Sequence, residues 1–391
     1  MKRLIFCFAF FLPLIGFSQA LLRGWVRDEN KKPVPNASVF LSNTSVGTRA
    51  NDEGYFQVHL PPGRYDLVVS SVGFETHAAP VSANVAIDTV YITLKIKAPE
   101  LEHVVIEPFE KNGWEKWGRF FTENFIGTTA NAADCRILNK EVIRFRHSKK
   151  TNELTAIAME PLRIENKALG YMVTIQLENF TYTFKKNYLV YIGYAYFQPM
   201  KGNAAKQRRW EKARYDAYHG SLMHFMRALY RNKIIEEGFE VRHLNKIVNE
   251  EKKRVQAIYA NAPRTPGGVR AAPDSLEYYE RILSQKDLFD KIGREKLPGD
   301  SIAYAYDSTT AVLEFPDHLL VTYTKSYAPI EFRRLYPQGN TSMTSELTLI
   351  NELPVLVEAS GNYYNPADLL SKGYWAWSEK ISMMLPFDYK P

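Results

Sequence analysis

Short runs of alternating apolar and polar residues fill positions 22–97 of the chain. Alternation with a period of two is typical of β-strands that bury one face. Glycine and proline separate the runs, as in Asp52-Glu53-Gly54 and Pro61-Pro62-Gly63, and favour tight turns. A sheet with one apolar face has to be covered, so about seven short strands here predict a β-sandwich. The clearest runs are 24–27, 37–41, 55–58, 65–70 and 90–96.

From position 113 onward the pattern changes to a mixture of helical and strand-like periods. Aromatic residues recur mostly three to four positions apart, which predicts a helix that ends at Gly127 and packs its aromatic side into a core. These residues are Trp114, Trp117, Phe120, Phe121 and Phe125. Strand-like runs follow at 142–145, 154–159, 171–184 and 188–197.

Residues 203–260 return to a helical period among many charged side chains and predict two or three amphipathic helices. Residues 275–291 predict one more helix. Alternation resumes at 311–315, 318–323, 346–350 and 353–359. The fold class predicted for the whole chain is therefore multidomain: an all-β sandwich followed by an α+β domain with inserted amphipathic helices.

The first residues predict export. Lys2 and Arg3 precede an apolar run that extends to Phe17 and ends at Ser18-Gln19-Ala20, the pattern of a secretory signal peptide. We expect cleavage after Ser18 or as late as Ala20. Cys7 lies inside the apolar run and not at the cleavage point, so the sequence does not indicate a lipoprotein. The predicted location is the periplasm or the outer membrane of a bacterium.

These patterns divide the chain into a signal peptide at 1–18, a sandwich at 21–97, a linker at 98–112 and an α+β companion domain at 113–391. Within the companion domain, residues 261–274 contain three prolines and two adjacent glycines and predict a mobile loop. A chain of 391 residues with 45% hydrophobic composition is long enough to build two or three cores.

Charge and cysteine content limit the classes of function. Loss of Lys2 and Arg3 lowers the formal net charge from +7 to +5, and the remaining excess is concentrated at 201–254. Export and the lack of an aromatic-basic motif argue against a nucleic-acid partner. We interpret the charge as a solvated basic helix face, and the alternative is a face that meets anionic lipid headgroups or acidic glycans. Cys135 is the only cysteine after the signal, so the sequence predicts no internal disulfide.

The segment at 21–97 resembles the carboxypeptidase-regulatory-like family of prealbumin-type sandwiches, whose fold is classed as carbohydrate-binding-like. The motifs that carry the resemblance are Gly24-x-Val26 with Asp28, Pro33-Val34-Pro35-Asn36-Ala37-x-Val39, Thr48, Asp52-x-Gly54-x-Phe56, Leu60-Pro61-Pro62-Gly63-x-Tyr65-x-Leu67 and Ser70-Ser71-Val72-Gly73-Phe74. Most of these positions are turn residues or inward apolar residues. The resemblance therefore implies a fold and no chemistry.

Two further resemblances concern the rest of the chain. Residues 98–106 are similar to the segment that follows this sandwich in TonB-dependent transporters of the starch-utilisation type, but about 22 barrel strands do not fit into the remaining residues. The companion domain is similar to one found behind this sandwich in uncharacterised envelope proteins of Gram-negative bacteria. That similarity rests on 121–127, 131–139 and 160–171 and implies no activity.

A search for catalytic patterns gives no catalytic, cofactor-binding or metal-binding residue. The His-x-x-Glu pair of a metallocarboxypeptidase and the His-Glu-x-x-His of a zincin are both missing from the sequence. His219, Ser221 and His224 lie close together but lack a nucleophile elbow, so we interpret both histidines as polar residues at the edge of a helix face. No Walker, dinucleotide-binding or EF-hand motif is present, and no cofactor is expected.

The remaining candidates also have simpler interpretations. Cys135 is predicted to be a small buried hydrophobe. Glu160, Glu165 and Glu178 lie near strands, and no pair of them can be assigned acid and base roles.

The sequence favours a non-catalytic binding or scaffolding protein of the cell envelope, with a glycan or a protein as the ligand and its ligand-binding residues unknown. Trp25 is the only tryptophan of the sandwich, whereas glycan-binding surfaces use several exposed aromatics. One alternative is a hydrolase of envelope polymers with its active site in the companion domain. Another hypothesis is peripheral membrane association through the aromatic segment from Tyr374-Trp375-Ala376-Trp377 to Pro386-Phe387.

Overall fold

A computed structural model of the chain describes residues 20–83, 89–97, 108–261, 273–336 and 341–391, without the side chains of 259–261 and 273–276. The predicted signal peptide, most of the predicted linker and residues 262–272 of the predicted loop lie outside the described residues. The chain divides into two compact units. The first comprises the residues before position 104 except Asn43–Ser45, and the second comprises Asn43–Ser45 and Val104–Pro391.

The first unit contains seven strands in its described residues. They are β1 (Ala20–Asp28), β2 (Ser38–Leu41), β3 (Gly47–Arg49), β4 (Tyr55–Leu60), β5 (Arg64–Ser70), β6 (His77–Ser82) and β7 (Thr89–Leu94). One sheet has the order β4-β1-β7, with β1 antiparallel to β4 and parallel to β7. The other sheet is antiparallel and has the order β3-β2-β5-β6.

Alternation along the strands of the first unit builds its core. Leu22 and Val26 in β1, Phe56 in β4, Val69 in β5 and Leu94 in β7 are at most 2% exposed and belong to a single apolar cluster. In β1 and β4 the residues that alternate with this core side are partly or fully exposed, as expected for strands with one buried face, whereas Phe40 in β2 and Val68 in β5 are buried outside this cluster. The predicted sandwich is confirmed.

The first part of the second unit is a helix packed on a sheet. The helix is α1 (Gly113–Phe125), and the strands are β8 (Cys135–Ile137), β9 (Ile143–Ser148), β10 (Glu153–Ala158), β11 (Leu162–Asn166), β12 (Tyr171–Thr183) and β13 (Tyr188–Pro199). The long strand β12 pairs with β13 on one side and with β11 and β10 on the other. Phe121 and Phe125 of α1 are fully buried in this core, as predicted.

The second part of the unit adds six helices to two further sheets. The helices are α2 (Ala204–Tyr218), α3 (Leu222–Tyr230), α4 (Glu250–Asn261), α5 (Pro273–Leu283), α6 (Ile330–Leu335) and α7 (Tyr374–Ser378). The strands are β14 (Phe239–Val248), β15 (Leu288–Ile292), β16 (Ala303–Ala305), β17 (Thr310–Leu313), β18 (His318–Tyr327), β19 (Ser342–Leu349), β20 (Val355–Glu358), β21 (Tyr363–Tyr364) and β22 (Leu369–Gly373). The sheet orders are β15-β14-β18-β19-β22 and β16-β17-β20-β21. The predicted fold class, with a sandwich followed by an α+β region, is confirmed.

Two segments differ from the predicted elements. Residues 203–260 were predicted to contain two or three amphipathic helices, but the strand β14 lies among the helices and pairs with both β18 and β15. The buried residues Phe239 and Val241 form its inner side, while charged neighbours hide the alternation in the sequence. The helix predicted for 275–291 ends at Leu283, and β15 follows it.

Candidate functional site

Three aromatic side chains lie side by side on the outer surface of the β4-β1-β7 sheet. Antiparallel pairing sets Trp25 of β1 opposite Tyr55 of β4, and parallel pairing sets Trp25 opposite Tyr91 of β7. The centroid of the Trp25 ring lies 5.1 Å from that of Tyr55 and 5.4 Å from that of Tyr91. The ring planes of Trp25 and Tyr91 are only 11° apart. We call the outer surface of this sheet, centred on these three rings, the aromatic face.

The rings of the aromatic face are ordered and accessible at the same time. Tyr91 is 68% exposed although it stacks on Trp25, and Trp25 and Tyr55 are partly exposed. A ring that its neighbours already hold in place loses little conformational freedom when a ligand covers it. Its apolar surface then contributes to binding. The aromatic face therefore has the properties of a preformed binding surface.

A tight turn before β4 positions Tyr55 beside Trp25. The side-chain Oδ1 of Asn51 accepts hydrogen bonds from the N–H groups of Glu53 at 3.1 Å and Tyr55 at 2.8 Å. Gly54 has a φ of +74°, and a Cβ there would lie 2.4 Å from the carbonyl oxygen of Val26. Only glycine fits this turn without strain.

The contact between Trp25 and Tyr91 depends on a close approach of β1 to β7. Gly24 sits opposite Val90, where a Cβ would lie 2.5 Å from the Val90 carbonyl oxygen. A side chain at this position would push the two strands apart. The glycine motif of the sequence therefore has a direct role in assembling the aromatic face.

Polar and basic side chains surround the three rings. Arg23 is exposed two positions before Trp25, and Arg27 lies two positions after it with its guanidinium carbon 5.5 Å from the Tyr91 ring centroid. The alternation of the three strands turns ten side chains toward this surface, and none of them is acidic. These are Leu21, Arg23, Trp25, Arg27, Tyr55, Gln57, His59, Thr89, Tyr91 and Thr93. The aromatic face is thus positively charged.

Sequence reasoning missed this surface because it counted tryptophans. Tyr55 and Tyr91 were visible at outward positions of two predicted strands. Their place beside Trp25 follows from the pairing of β1 with β4 and β7, which the sequence does not specify. The count of one tryptophan therefore understates the aromatic surface of the sandwich, which has three adjacent rings.

The histidine cluster of the second unit is a structural network. Ser221 caps the start of α3, with its Oγ accepting the N–H of His224 at 3.1 Å. His224 is 1% exposed; its Nδ1 accepts the N–H of Gly220 at 3.1 Å, and its Nε2 donates to Glu237 at 2.7 Å. Burial lowers the pKa of His224 to about 4, although Glu237 opposes this shift. The expectation that His224 is an edge residue is wrong because both its ring nitrogens are engaged in the core.

The other candidates from the sequence lie apart from this network. Cys135 is partly buried in β8 and packs against the core of this unit, where burial raises the pKa of its thiol to about 12. Glu165 pairs with Lys167 at 3.2 Å. Glu160 and Glu178 are exposed, the first before β11 and the second within β12.

The aromatic segment near the end of the chain belongs to the core. Trp375 is 2% exposed and donates its Nε1–H to the carbonyl of Gly220 at 2.8 Å. Trp377 is 9% exposed and donates to Oγ1 of Thr128 at 3.0 Å. Both side chains are buried and hydrogen-bonded within the second unit, so the hypothesis that they insert into a membrane is wrong. Among the described residues, no helix combines the length and the apolarity needed to cross a bilayer.

The second unit has an open cleft of about 570 Å³, a volume suited to a small ligand. Its lining includes Tyr171, Tyr215 and the carboxylates of Glu211 and Asp388. Arg214 lies over the Tyr171 ring at 4.1 Å, and its guanidinium donates to the carbonyls of Leu169 and Gly170. No histidine is among the described residues that line it.

Comparison with known proteins identifies the first unit only. Residues 22–106 match the family model of the CarboxypepD_reg-like domain. The chain is similar to the TonB-dependent receptor P39 of Formosa agariphila, with 33% identity over 89 residues. The match covers 23% of this chain and 8% of the receptor, so the chain spans less than a tenth of that relative.

Two solved structures show a weaker likeness. A DUF3823 family protein from Bacteroides ovatus is 11% identical, and the match covers 47% of this chain and 100% of that one. A protein of unknown function from Bacteroides fragilis, described as membrane-associated, is 12% identical over 88% of this chain and 98% of its own. Both have a TM-score of 0.17, at which the likeness adds nothing to the assignment. What is established is that this chain carries a carboxypeptidase-regulatory-like domain at residues 22–106.

Proposed function

We propose that this chain is an exported, non-catalytic binding protein of the bacterial cell envelope, and that the aromatic face of its sandwich is the binding surface. The observation that carries the proposal is the row of Trp25, Tyr55 and Tyr91, which is preordered by stacking and open to solvent. Tryptophan, tyrosine and arginine are the residues most enriched where binding energy is concentrated. The signal peptide pattern at 1–18 supports the export.

The envelope context has one further source of support. The chain is similar over 89 residues, about the length of the sandwich, to a TonB-dependent receptor, and we take this as support for an envelope context. The alternative of a hydrolase in the second unit stays a prediction. The histidine and serine that come closest to a catalytic pair are used to cap and anchor α3.

The proposal is tested by retention of the full chain on immobilised envelope fractions, one of polysaccharide and one of protein. Tyr91→Ala removes the most exposed ring of the face, and we expect about 10-fold weaker retention, a loss of roughly 1.4 kcal/mol. Tyr306→Ala is the matched control, since Tyr306 is also 68% exposed but lies in the second unit. Circular dichroism checks that both variants fold.

Retention that falls for Tyr91→Ala and not for Tyr306→Ala supports the proposal. Equal retention of Tyr91→Ala and the unsubstituted chain would overturn it. Failure of the unsubstituted chain to bind either fraction would overturn it as well.

A further inference from the structure

The charges on the aromatic face indicate which ligand it takes. Arg23 and Arg27 lie in the same strand as Trp25, two positions before and after it, which places each about 7 Å from Trp25 along the strand. None of the ten outward side chains of the three strands is acidic. Arginine stays charged at every physiological pH, and its planar guanidinium pairs well with two oxygens of a carboxylate or a sulfate group.

We infer that the ligand of the aromatic face is an acidic polysaccharide, which rests on the proposed function of this surface. A sugar ring packs its C–H face against Tyr91, the most exposed of the three rings, while carboxylate or sulfate groups pair with Arg23 and Arg27. Gln57, which is opposite Arg23 in β4, and Thr89, which is opposite Arg23 in β7, add hydrogen-bonding groups for hydroxyls. The face therefore matches a polymer that alternates apolar ring surface, hydroxyl groups and negative charge.

A lipid surface fits this arrangement less well. Recognition of anionic membranes uses clusters of four to eight basic residues, whereas the aromatic face offers two arginines. Its large side chains are rings that stack on one another, and they do not form a protruding aliphatic wedge. An acidic protein would satisfy the arginines but would not need an ordered row of rings.

Single exposed ion pairs contribute about 1 kcal/mol or less, so we expect modest affinity per sugar that increases along a polymer through multiple contacts. The interaction also weakens with salt because the charges are exposed. Both features are measurable with a polymer of known composition.

The test is isothermal titration of the full chain with four probes. These are alginate, which is a linear polyuronate, dextran as a neutral polysaccharide, poly-glutamate as an acidic polypeptide, and phosphatidylglycerol vesicles. We expect the affinity for alginate to exceed that for each other probe at least 10-fold. This affinity should decrease between 0.05 and 0.5 M salt because exposed charges are screened. Replacing both arginines in the double variant Arg23→Gln/Arg27→Gln should reduce alginate binding about 10-fold.

The control is Arg49→Gln, which removes one exposed charge from β3 in the other sheet and should leave alginate binding unchanged. Tyr91→Ala is included because it tests the surface itself. If alginate and dextran bind equally and the double variant is unaffected, the ligand class is wrong, but loss of binding in Tyr91→Ala still supports the proposed function. If Tyr91→Ala binds every probe as well as the unsubstituted chain does, both proposals fail.

Two other outcomes contradict the acidic polysaccharide specifically. Equal binding of poly-glutamate and alginate would show that charge alone is recognised. Stronger binding to the vesicles would assign the arginines to a lipid surface.

Discussion

The indole ring of Trp25 stacks on the phenol ring of Tyr91, with ring planes 11° apart and centroids 5.4 Å apart, although one residue lies in the first strand of the sandwich and the other in the last. The parallel pairing of β1 with β7 creates this contact. Gly24 allows the close approach, and the turn at Gly54 places Tyr55 on the other side of Trp25. The two glycines that the sequence indicates as turn and strand residues of the fold therefore also shape the aromatic face.

The turn at Gly54 gives a stability prediction. Gly54→Ala places a Cβ 2.4 Å from the Val26 carbonyl oxygen at a φ of +74°, whereas Gly73 has a φ of +85° with open space around it. We expect Gly73→Ala to cost about 1 kcal/mol for the left-handed backbone alone. Gly54→Ala should cost roughly 2 kcal/mol more because of the clash. Urea unfolding followed by circular dichroism measures both, and equal costs would contradict the described turn.

The buried His224 gives a pH prediction. The unfolded chain protonates this histidine below its ordinary pKa of 6.5, while the folded chain resists protonation down to about 4. Stability due to His224 therefore falls as the pH drops through this window, by roughly 2 kcal/mol between pH 7.5 and 5. His224→Gln keeps an acceptor and a donor but cannot titrate. The difference in unfolding free energy between the unsubstituted chain and this variant should therefore change by roughly 2 kcal/mol between pH 7.5 and 5.

Thermal unfolding followed by tryptophan fluorescence reports on His224, since only Trp25 of the six tryptophans lies in the first unit. The difference between the two proteins is the useful quantity. Glu379, whose pKa is raised to about 7 by burial, shifts the stability of both in the opposite direction. A difference that is the same at pH 7.5 and 5 would show that His224 is not held neutral.

Arg227 anchors the end of the chain. It is 7% exposed and donates to the carbonyl oxygens of Ser360 at 2.7 Å, Tyr389 at 3.0 Å and Phe387 at 3.1 Å. A lysine cannot reproduce this planar set of donors, so Arg227→Lys should cost about 2–3 kcal/mol and leave 386–391 more open to proteolysis. Arg334→Lys on the exposed side of α6 is the control. Mass spectrometry of a limited digest would refute the anchor if both variants were cleaved alike.

Cys135 should react slowly with thiol reagents. Because burial raises its pKa to about 12, very little thiolate is present at pH 8. We expect labelling by a disulfide reagent to be roughly 50-fold slower in the folded chain than in urea, after allowing for the greater nucleophilicity of a high-pKa thiolate. Peptide mapping separates Cys135 from Cys7. Equal rates in the two conditions would contradict the partly buried environment of Cys135.

Local patterns were sufficient to predict the sandwich, the helix α1 and the α+β character of the second unit. In the sandwich, Leu22 and Val26 alternate with exposed residues, and in α1 the buried Phe121 and Phe125 are four positions apart. Such short-range periods report directly which side of an element is buried. The strand β14 was missed because charged residues flank and interrupt its apolar side.

Long-range pairing could not be predicted from the sequence alone. The register that brings Tyr55 and Tyr91 to Trp25 joins segments far apart in the chain. The environment of His224 could not be predicted either, because it depends on contacts with Glu237 and Gly220. Nor could the burial of Trp375, which lies in an aromatic segment that resembled an exposed surface but is part of the core. His224 and Trp375, which the sequence suggested as polar-edge or membrane-contacting residues, are buried in the fold. The aromatic face is composed of residues that gave no functional signal when each was considered alone.

The most direct measurement is hydroxyl-radical footprinting of the full chain with and without the polysaccharide that it binds. Oxidation of Trp25, Tyr55 and Tyr91 should decrease in the complex, while that of Tyr306 and Tyr327, which are 68% and 76% exposed in the second unit, should not change. This outcome would locate the ligand on the aromatic face. Unchanged oxidation of Tyr91 under conditions where the polysaccharide is bound would contradict the account.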